Sequence, residues 1–170
     1  MLQRVLLAIA VAADPDLLVA DEATTALDVA VQAEVLDLLS GLRRERGLAV
    51  LLVSHDLAVV AETCDRVVVL YAGEIVEEGP TAEVIANPRH PYTEALLKVA
   101  SLGAWDRRTL EVIPGRPPEV GAVTRGCRFA ERCAYVHEAC TAAAVPLVSL
   151  DDRAARCTRV GNLALAGAAS

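Results

Sequence analysis

Apolar runs separated by short polar breaks set the first expectations. Residues 2–13 are apolar almost throughout, with Arg4 as the only charge before Asp14-Pro15 stops the run. A helix buried in a core is predicted there. Leu17-Leu18-Val19-Ala20 follows and leads straight into Asp21-Glu22. So short an apolar run, with Asp14-Pro15-Asp16 before it, reads as a strand covered on both faces, as in parallel sheets. From Val29 the period changes: Val31, Val35, Leu38, Leu39 and Leu42 share a helical face, while Gln32, Glu34, Asp37 and Arg43 point away. Asp28 is placed to cap this helix at its start and Gly47 to end it. Residues 48–53 predict a second buried strand, closed by Ser54-His55-Asp56. Residues 57–63 predict a short helix and 66–70 a third strand. Tyr71-Ala72-Gly73-Glu74 then predicts a hairpin turn into an edge strand at 75–77. Beyond Gly79-Pro80, residues 81–86 predict a small helix capped by Thr81. A longer helix, reaching about Ala100, is entered through Arg89-His90-Pro91-Tyr92-Thr93.

The strand–helix–strand order predicts an α/β fold, and such folds place ligands at the carboxyl ends of their strands. Asp21 and Glu22 stand at one such end. Two adjacent acids there suit an acid that holds a hydrated cation beside one that polarises a water; the alternative is a simple cap for the next helix. Composition narrows the field. Of 170 residues 54% are hydrophobic but only 3% aromatic, so the core is built from Leu, Val and Ala. The net charge of −7 leaves no footprint for nucleic acid. No run reaches the roughly 18–20 apolar residues that span a bilayer. The first residues imitate a signal peptide, but they carry one basic residue and lead directly into a strand pattern, so secretion is not expected. The expected organisation is a domain over 1–86, an extension over 87–160 containing the linker Pro114-Gly115-Arg116-Pro117-Pro118, and a flexible small-residue tail over 161–170.

Three motifs in order make the reading specific. Residues 17–22 resemble the Walker B segment of ABC-type ATPases, Thr25-Ala26-Leu27-Asp28 resembles their D-loop, and Val53-Ser54-His55-Asp56 their switch-histidine segment. His90-Pro91-Tyr92-Thr93-Glu94-Ala95-Leu96-Leu97 and the cysteine-rich region after it resemble the C-terminal extension of dipeptide/oligopeptide and nickel permease ATP-binding subunits. The resemblance covers nearly the whole chain. It implies the latter part of a RecA-like P-loop NTPase core with a cysteine-rich C-terminal extension. The implied protein is a peripheral subunit at the cytoplasmic face of the membrane. It would bind ATP with Mg²⁺ and energise uptake of di- or oligopeptides or related solutes. Its implied partners are a second ABC ATPase subunit, transmembrane permease subunits and, indirectly, a solute-binding protein. Carried onto this sequence, Asp21 holds Mg²⁺ through water, Glu22 polarises the attacking water, His55 touches the γ-phosphate, and Asp28 contacts the opposite subunit. Ala23 stands where the family usually has Pro, which loosens the turn without removing a reacting group.

Other family parts are missing from these 170 residues. There is no G-x-x-x-x-G-K-[ST] run, whose backbone N–H groups and Lys cradle phosphates; the only lysine, Lys98, follows Leu97. The glutamine loop and the LSGG segment are absent too, and Met1-Leu2-Gln3-Arg4 resembles the residues directly after LSGG. The expectation is a truncated gene model rather than a separately encoded half, and no ATPase activity from the chain alone. The alternative function is a small metal-binding interaction module that carries an inert ATPase remnant.

Cys127, Cys133, Cys140 and Cys157 are separated by five, six and sixteen residues, which is not the paired spacing of zinc ribbons. Four irregularly spaced thiolates suit a [4Fe–4S] cluster, and the permease resemblance implies one; zinc and no metal remain open. Arg125, Arg128, Arg132, Arg153 and Arg156 are expected to lower the thiol pKa values. His137 is expected at the surface, Cys64 as a small buried residue, and Trp105 in packing.

Overall fold

A computed structural model describes residues 2–22, 29–100, 112–119, 121 and 125–167. The expected D-loop, including Asp28, and Trp105 lie outside the described residues. The chain forms two compact units, divided between Cys64 and Asp65. Among the described residues no helix is long and apolar enough to cross a membrane.

The first unit is built from α1 (Leu2–Val11), β1 (Leu17–Asp21), α2 (Val29–Arg46), β2 (Ala49–Val53) and α3 (Leu57–Thr63). The two strands pair in parallel, with Leu17 opposite Ala49 and Asp21 opposite Val53. Leu18, Val35, Leu39 and Leu48 form the core, and Leu7, Val11, Leu42 and Val50 pack partly against it. This core lies on one face of the sheet. The other face leaves Leu17 54%, Val19 57%, Leu51 53% and Val53 46% exposed. The expected two-sided burial of both strands is therefore corrected: side chains alternate across a strand, and only the alternate set meets a covering layer. Helix α1 likewise exposes Val5, Leu6 and Ile9 instead of burying its whole girth. Gly47 ends α2 in the left-handed region, at φ 67°, and its N–H donates to the Arg43 carbonyl at 3.0 Å. That is the cap its position predicted. Asp56 caps α3 through Oδ1, accepting from the Ala58 and Val59 amides.

The second unit holds β3 (Arg66–Tyr71), β4 (Glu74–Pro80), α4 (Thr81–Ala86), α5 (Pro91–Ala100), α6 (Ala139–Ala142), β5 (Val148–Leu150) and β6 (Arg153–Ala155). Its sheet runs in the order β3-β4-β6-β5, all antiparallel. Strand β4 is thus an inner strand, not the expected edge. Its charges had suggested an edge, yet Glu77 is fully buried because three donors meet it. These are the Arg89 amide at 2.8 Å, the His90 amide at 2.9 Å and Arg153 Nη2 at 2.8 Å. Arg153 Nη2 also donates to the Asn87 carbonyl at 2.6 Å. Residues 66–86, expected with the ATPase domain, therefore share a sheet with the cysteine region. Thr81 begins α4, but no side chain caps that helix, and Thr81 Oγ1 is buried without a partner. The core gathers Val69, Tyr71, Val76, Val84 and Phe129. Phe129, the chain's single phenylalanine, stacks edge-on to Tyr71 at 5.2 Å and tilts against Tyr92 at 5.3 Å.

Candidate functional sites

In the first unit, parallel register decides what meets at the carboxyl ends of the strands. Asp21 lies opposite Val53, and the Glu22 amide donates to the Val53 carbonyl at 2.9 Å, extending the ladder by one step. Glu22 then leaves the strand in the left-handed region, at φ 46°, which is uncommon for a residue with a side chain. Such backbone strain clusters at functional sites. Glu22 Oε1 comes within 3.4 Å of His55 Nδ1, and both side chains are more than half exposed. The structure therefore joins the first expected motif to the third. Neighbouring groups serve the local fold: Ser54 Oγ accepts the Asp56 amide at 3.0 Å, and Asp56 is occupied as the α3 cap. Asp21 stands exposed at the strand end beside this pair.

In the second unit, Cys127, Cys133, Cys140 and Cys157 line one small cavity with His90, Phe129 and Leu163. All five cysteines of the chain are free. Three of the four cavity cysteines repeat one local design. Cys133 Sγ accepts the Tyr135 amide and Cys157 Sγ accepts the Arg159 amide, each at 3.4 Å. The Phe129 amide does the same for Cys127. The carbonyls of Cys127, Cys133 and Cys157 accept the amides three residues on, from Ala130, Val136 and Val160. Each cysteine thus opens a tight turn that aims the next amide but one at its sulfur. Cys140 differs; its Sγ lies 3.3 Å from Thr158 Oγ1, which also meets His137 Nε2 at 3.0 Å. His137 is exposed, as expected. The turns are stitched together by the Cys127 amide, which donates to the Cys140 carbonyl at 2.7 Å. Irregular cysteine spacing hid this repeat from the sequence, because the repeated unit is only four residues long and its copies are joined by unequal segments.

Two expectations are corrected here. The thiols are not activated: burial pushes up Cys127 and Cys157, and Cys133 to about 11, and the neighbouring thiols add to this. Four of the five arginines meant to lower them are engaged elsewhere. Arg128 binds the Ala72 carbonyl and Glu74, Arg132 the Ile113 and Pro114 carbonyls, Arg153 Glu77, and Arg156 the Ile75 and Val145 carbonyls. Second, among the described residues no group of three or more His, Cys, Asp or Glu is arranged to hold a metal ion. The geometry therefore gives no support to a preformed metal centre. Four cysteines nonetheless line one cavity, and N–H groups aimed at sulfur are a feature that tunes iron–sulfur centres. Mononuclear zinc needs all sulfurs about 2.3 Å from one point, a stricter demand than enclosing a cluster.

His90 leads α5, as expected, its carbonyl accepting the Glu94 amide, and it is also a buried wall of the cavity. Its Nδ1 accepts the Tyr92 amide at 3.0 Å, and its ring bonds the Arg156 carbonyl. That contact fixes the residue next to Cys157.

Comparison with known proteins finds relatives similar to the chain across both units. Residues 76–140 match the family described as the C-terminal region of oligopeptide/dipeptide transporters. The chain is 48% identical to a putative peptide import ATP-binding protein of Brucella ovis over 171 residues, 96% of this chain and 51% of that protein. A Brucella melitensis protein of the same description matches equally, at 48% over the same shares. A Brucella abortus protein so described is 48% identical over 156 residues, 91% of this chain and 47% of its own. Residues 76–140 thus carry the C-terminal region of the oligopeptide/dipeptide transporter family that the motifs resemble, and the chain spans about half the length of the curated relatives it matches.

Proposed function

We propose that this chain supplies the Walker B, D-loop and switch-histidine part of an ATP-hydrolysing subunit of a peptide-type ABC importer. Its first unit is then part of a RecA-like core. The observation that carries the reading is the approach of Glu22 Oε1 to His55 Nδ1 at the ends of two parallel strands. Phosphoryl transfer is chiefly positioning and charge neutralisation. Asp21 would hold Mg²⁺ through water, Glu22 would take up the proton of the attacking water, and His55 would orient that water against the γ-phosphate. Asp28 would reach the opposite subunit. When bound, Mg²⁺ neutralises the phosphate charge. The complex implied holds a second ATP-binding subunit and membrane-spanning permease subunits, at the cytoplasmic face of the membrane. With no phosphate cradle in its sequence, the chain alone should neither bind nor hydrolyse MgATP.

The cysteine pocket is read as the seat of a [4Fe–4S] cluster, with zinc as the alternative occupant. The four sulfurs around one cavity and the three amide-on-sulfur turns support this. The cluster would supply a rigid cross-link among three turns and α6.

The test is a graft. Residues 1–170 replace the matching half of the Brucella ovis relative, and ATPase rate and peptide uptake are measured. Hydrolysis is expected to return, and Glu22→Gln to lower it about 10²-fold or more while ATP binding persists. An unchanged rate in Glu22→Gln would remove Glu22 from the mechanism.

A further inference from the structure

The chain beyond the last cysteine was expected to be a frayed tail, yet residues 161–167 are fastened at three points. Immediately after the Cys157 turn, the Asn162 amide donates to the Arg159 carbonyl and bends the chain back. Leu163 then reaches the cysteine cavity and forms part of its wall. The Ala166 amide donates to Glu94 Oε1 at 2.9 Å. That same oxygen accepts the Tyr135 hydroxyl at 3.1 Å and pairs with Lys98 Nζ at 3.0 Å. Glu94 itself is buried on α5. Gly167 finally presses on the end of α4, where a Cβ would lie 2.0 Å from the Ala86 carbonyl oxygen and 2.7 Å from that of Ile85. Only glycine fits so close to backbone.

We propose that residues 161–167 are a strap that closes the cysteine pocket: Leu163 is the stopper, and Glu94 and the Gly167 seat are the clasps. The proposal rests on the reading of the four cysteines as one site. The clasp is linked to the thiols by a short route. Tyr135 gives its hydroxyl to Glu94 and its amide to Cys133 Sγ, so one residue joins the strap's anchor to a cysteine. The strap also starts four residues past Cys157, and its Asn162 amide bonds the carbonyl of Arg159, whose own amide bonds that sulfur. Lifting the strap removes an apolar wall and opens the sulfurs to water and to small reagents. A strap held by two hydrogen bonds and one glycine contact opens far more cheaply than the sheet beneath it. It therefore sets the rate at which thiols, or a cluster held by them, meet solvent.

The experiment uses the full chain in a Cys64→Ser background, metal-free, under native conditions. Alkylation of the four thiols by iodoacetamide is timed by mass spectrometry. Leu163→Ser and Gly167→Val should be alkylated at least about tenfold faster than the parent, while Ala164→Ser, on an exposed strap position, keeps the parent rate. Circular dichroism and melting check that each variant is folded. Equal alkylation rates in folded Leu163→Ser, Gly167→Val and parent would overturn the strap. If the variants do not fold, hydrogen exchange in the parent decides. Protection of the Ala166 amide is expected, and exchange at the free-peptide rate overturns the proposal. The same proteins are then reconstituted with iron and sulfide and challenged with a chelator. Faster bleaching in the variants is expected. A parent that takes up no iron defeats the cluster reading alone, because alkylation requires no metal.

Discussion

His90 shows how much one residue can be asked to do. Its ring accepts the Tyr92 amide at Nδ1, so its proton sits on Nε2, facing the Arg156 carbonyl. The Tyr92 bond needs the neutral imidazole, whereas the bond to the Arg156 carbonyl is made by either form. Burial is the main reason its pKa falls from 6.5 to about 4; the carbonyl bond opposes this and the Arg156 charge adds to it. The unfolded chain therefore binds a proton between these values that the folded chain refuses. Stability from this group is complete above pH 6.5 and is lost as pH falls toward 4, by about 3 kcal/mol in all. Urea unfolding of the metal-free chain at stepped pH should show this slope, and His90→Gln should flatten it. A His90→Gln profile parallel to the parent's would show that His90 does not titrate on unfolding. Glu94 loses its contribution in a separate, more acidic window. Burial opposes its ionisation, but the Ala166 amide, Lys98 and Tyr135 together hold its carboxyl below the usual value. Little of this was legible in the sequence. Pro91 marked a helix start, but nothing local showed that the His90 ring would also meet the Arg156 carbonyl, more than sixty residues on. Glu22 and His55 were legible, because each ends an apolar run and parallel pairing is the one arrangement that sets two such ends side by side.

Local patterns carried the elements where backbone chemistry alone sets them. The seven-residue α3 spans the residues predicted for it, and the 18-residue α2 ends at Gly47 as predicted. The Ala72-Gly73 turn takes positive φ at both central positions, the twist a tight hairpin needs. The cysteine region resisted reading for a different reason. It has little regular structure, and its order comes from backbone bonds between distant turns. Gly126 is the tightest of these points: a Cβ there would lie 2.1 Å from the Cys140 carbonyl oxygen and 2.7 Å from Thr141 Cα. Gly126→Ala must push the Cys127 and Cys140 turns apart and break the 2.7 Å bond between them. The expected cost is about 1–3 kcal/mol, with loss of coordinated thiol behaviour. Two readings check it: the unfolding midpoint, and the iron bound per chain after reconstitution. A variant matching the parent in both would mean that the two turns are independent. Strand β6 was equally hidden, since Arg153-Ala154-Ala155 has no strand-like alternation and is held in the sheet by Glu77.

At the scale of the whole chain, the two units differ in how completely they cover their own surfaces. The second closes its sheet with a core of valines and aromatics. The first has two parallel strands with helices over one face and nothing among the described residues over the other. Leu17, Val19, Leu51 and Val53 form one continuous apolar stripe there, since alternate residues of paired strands lie side by side. Parallel sheets are found covered on both faces. The curated relatives are about twice as long as this chain, and a stripe of this kind in a protein free in solution invites self-association. The chain expressed alone should therefore self-associate through its first unit, sediment as a mixture of oligomers and bind a hydrophobic dye, while the second unit, which covers its own core, keeps its fold. Placing Thr at positions 17, 19, 51 and 53 together should shift it toward monomer, because threonine keeps strand preference while adding polarity. A monodisperse parent with a cooperative melt would mean that the stripe is tolerated in water. A parent that aggregates and a fourfold variant that aggregates equally would place the cause elsewhere, with Val5, Leu6 and Ile9 of α1 the next surface to change.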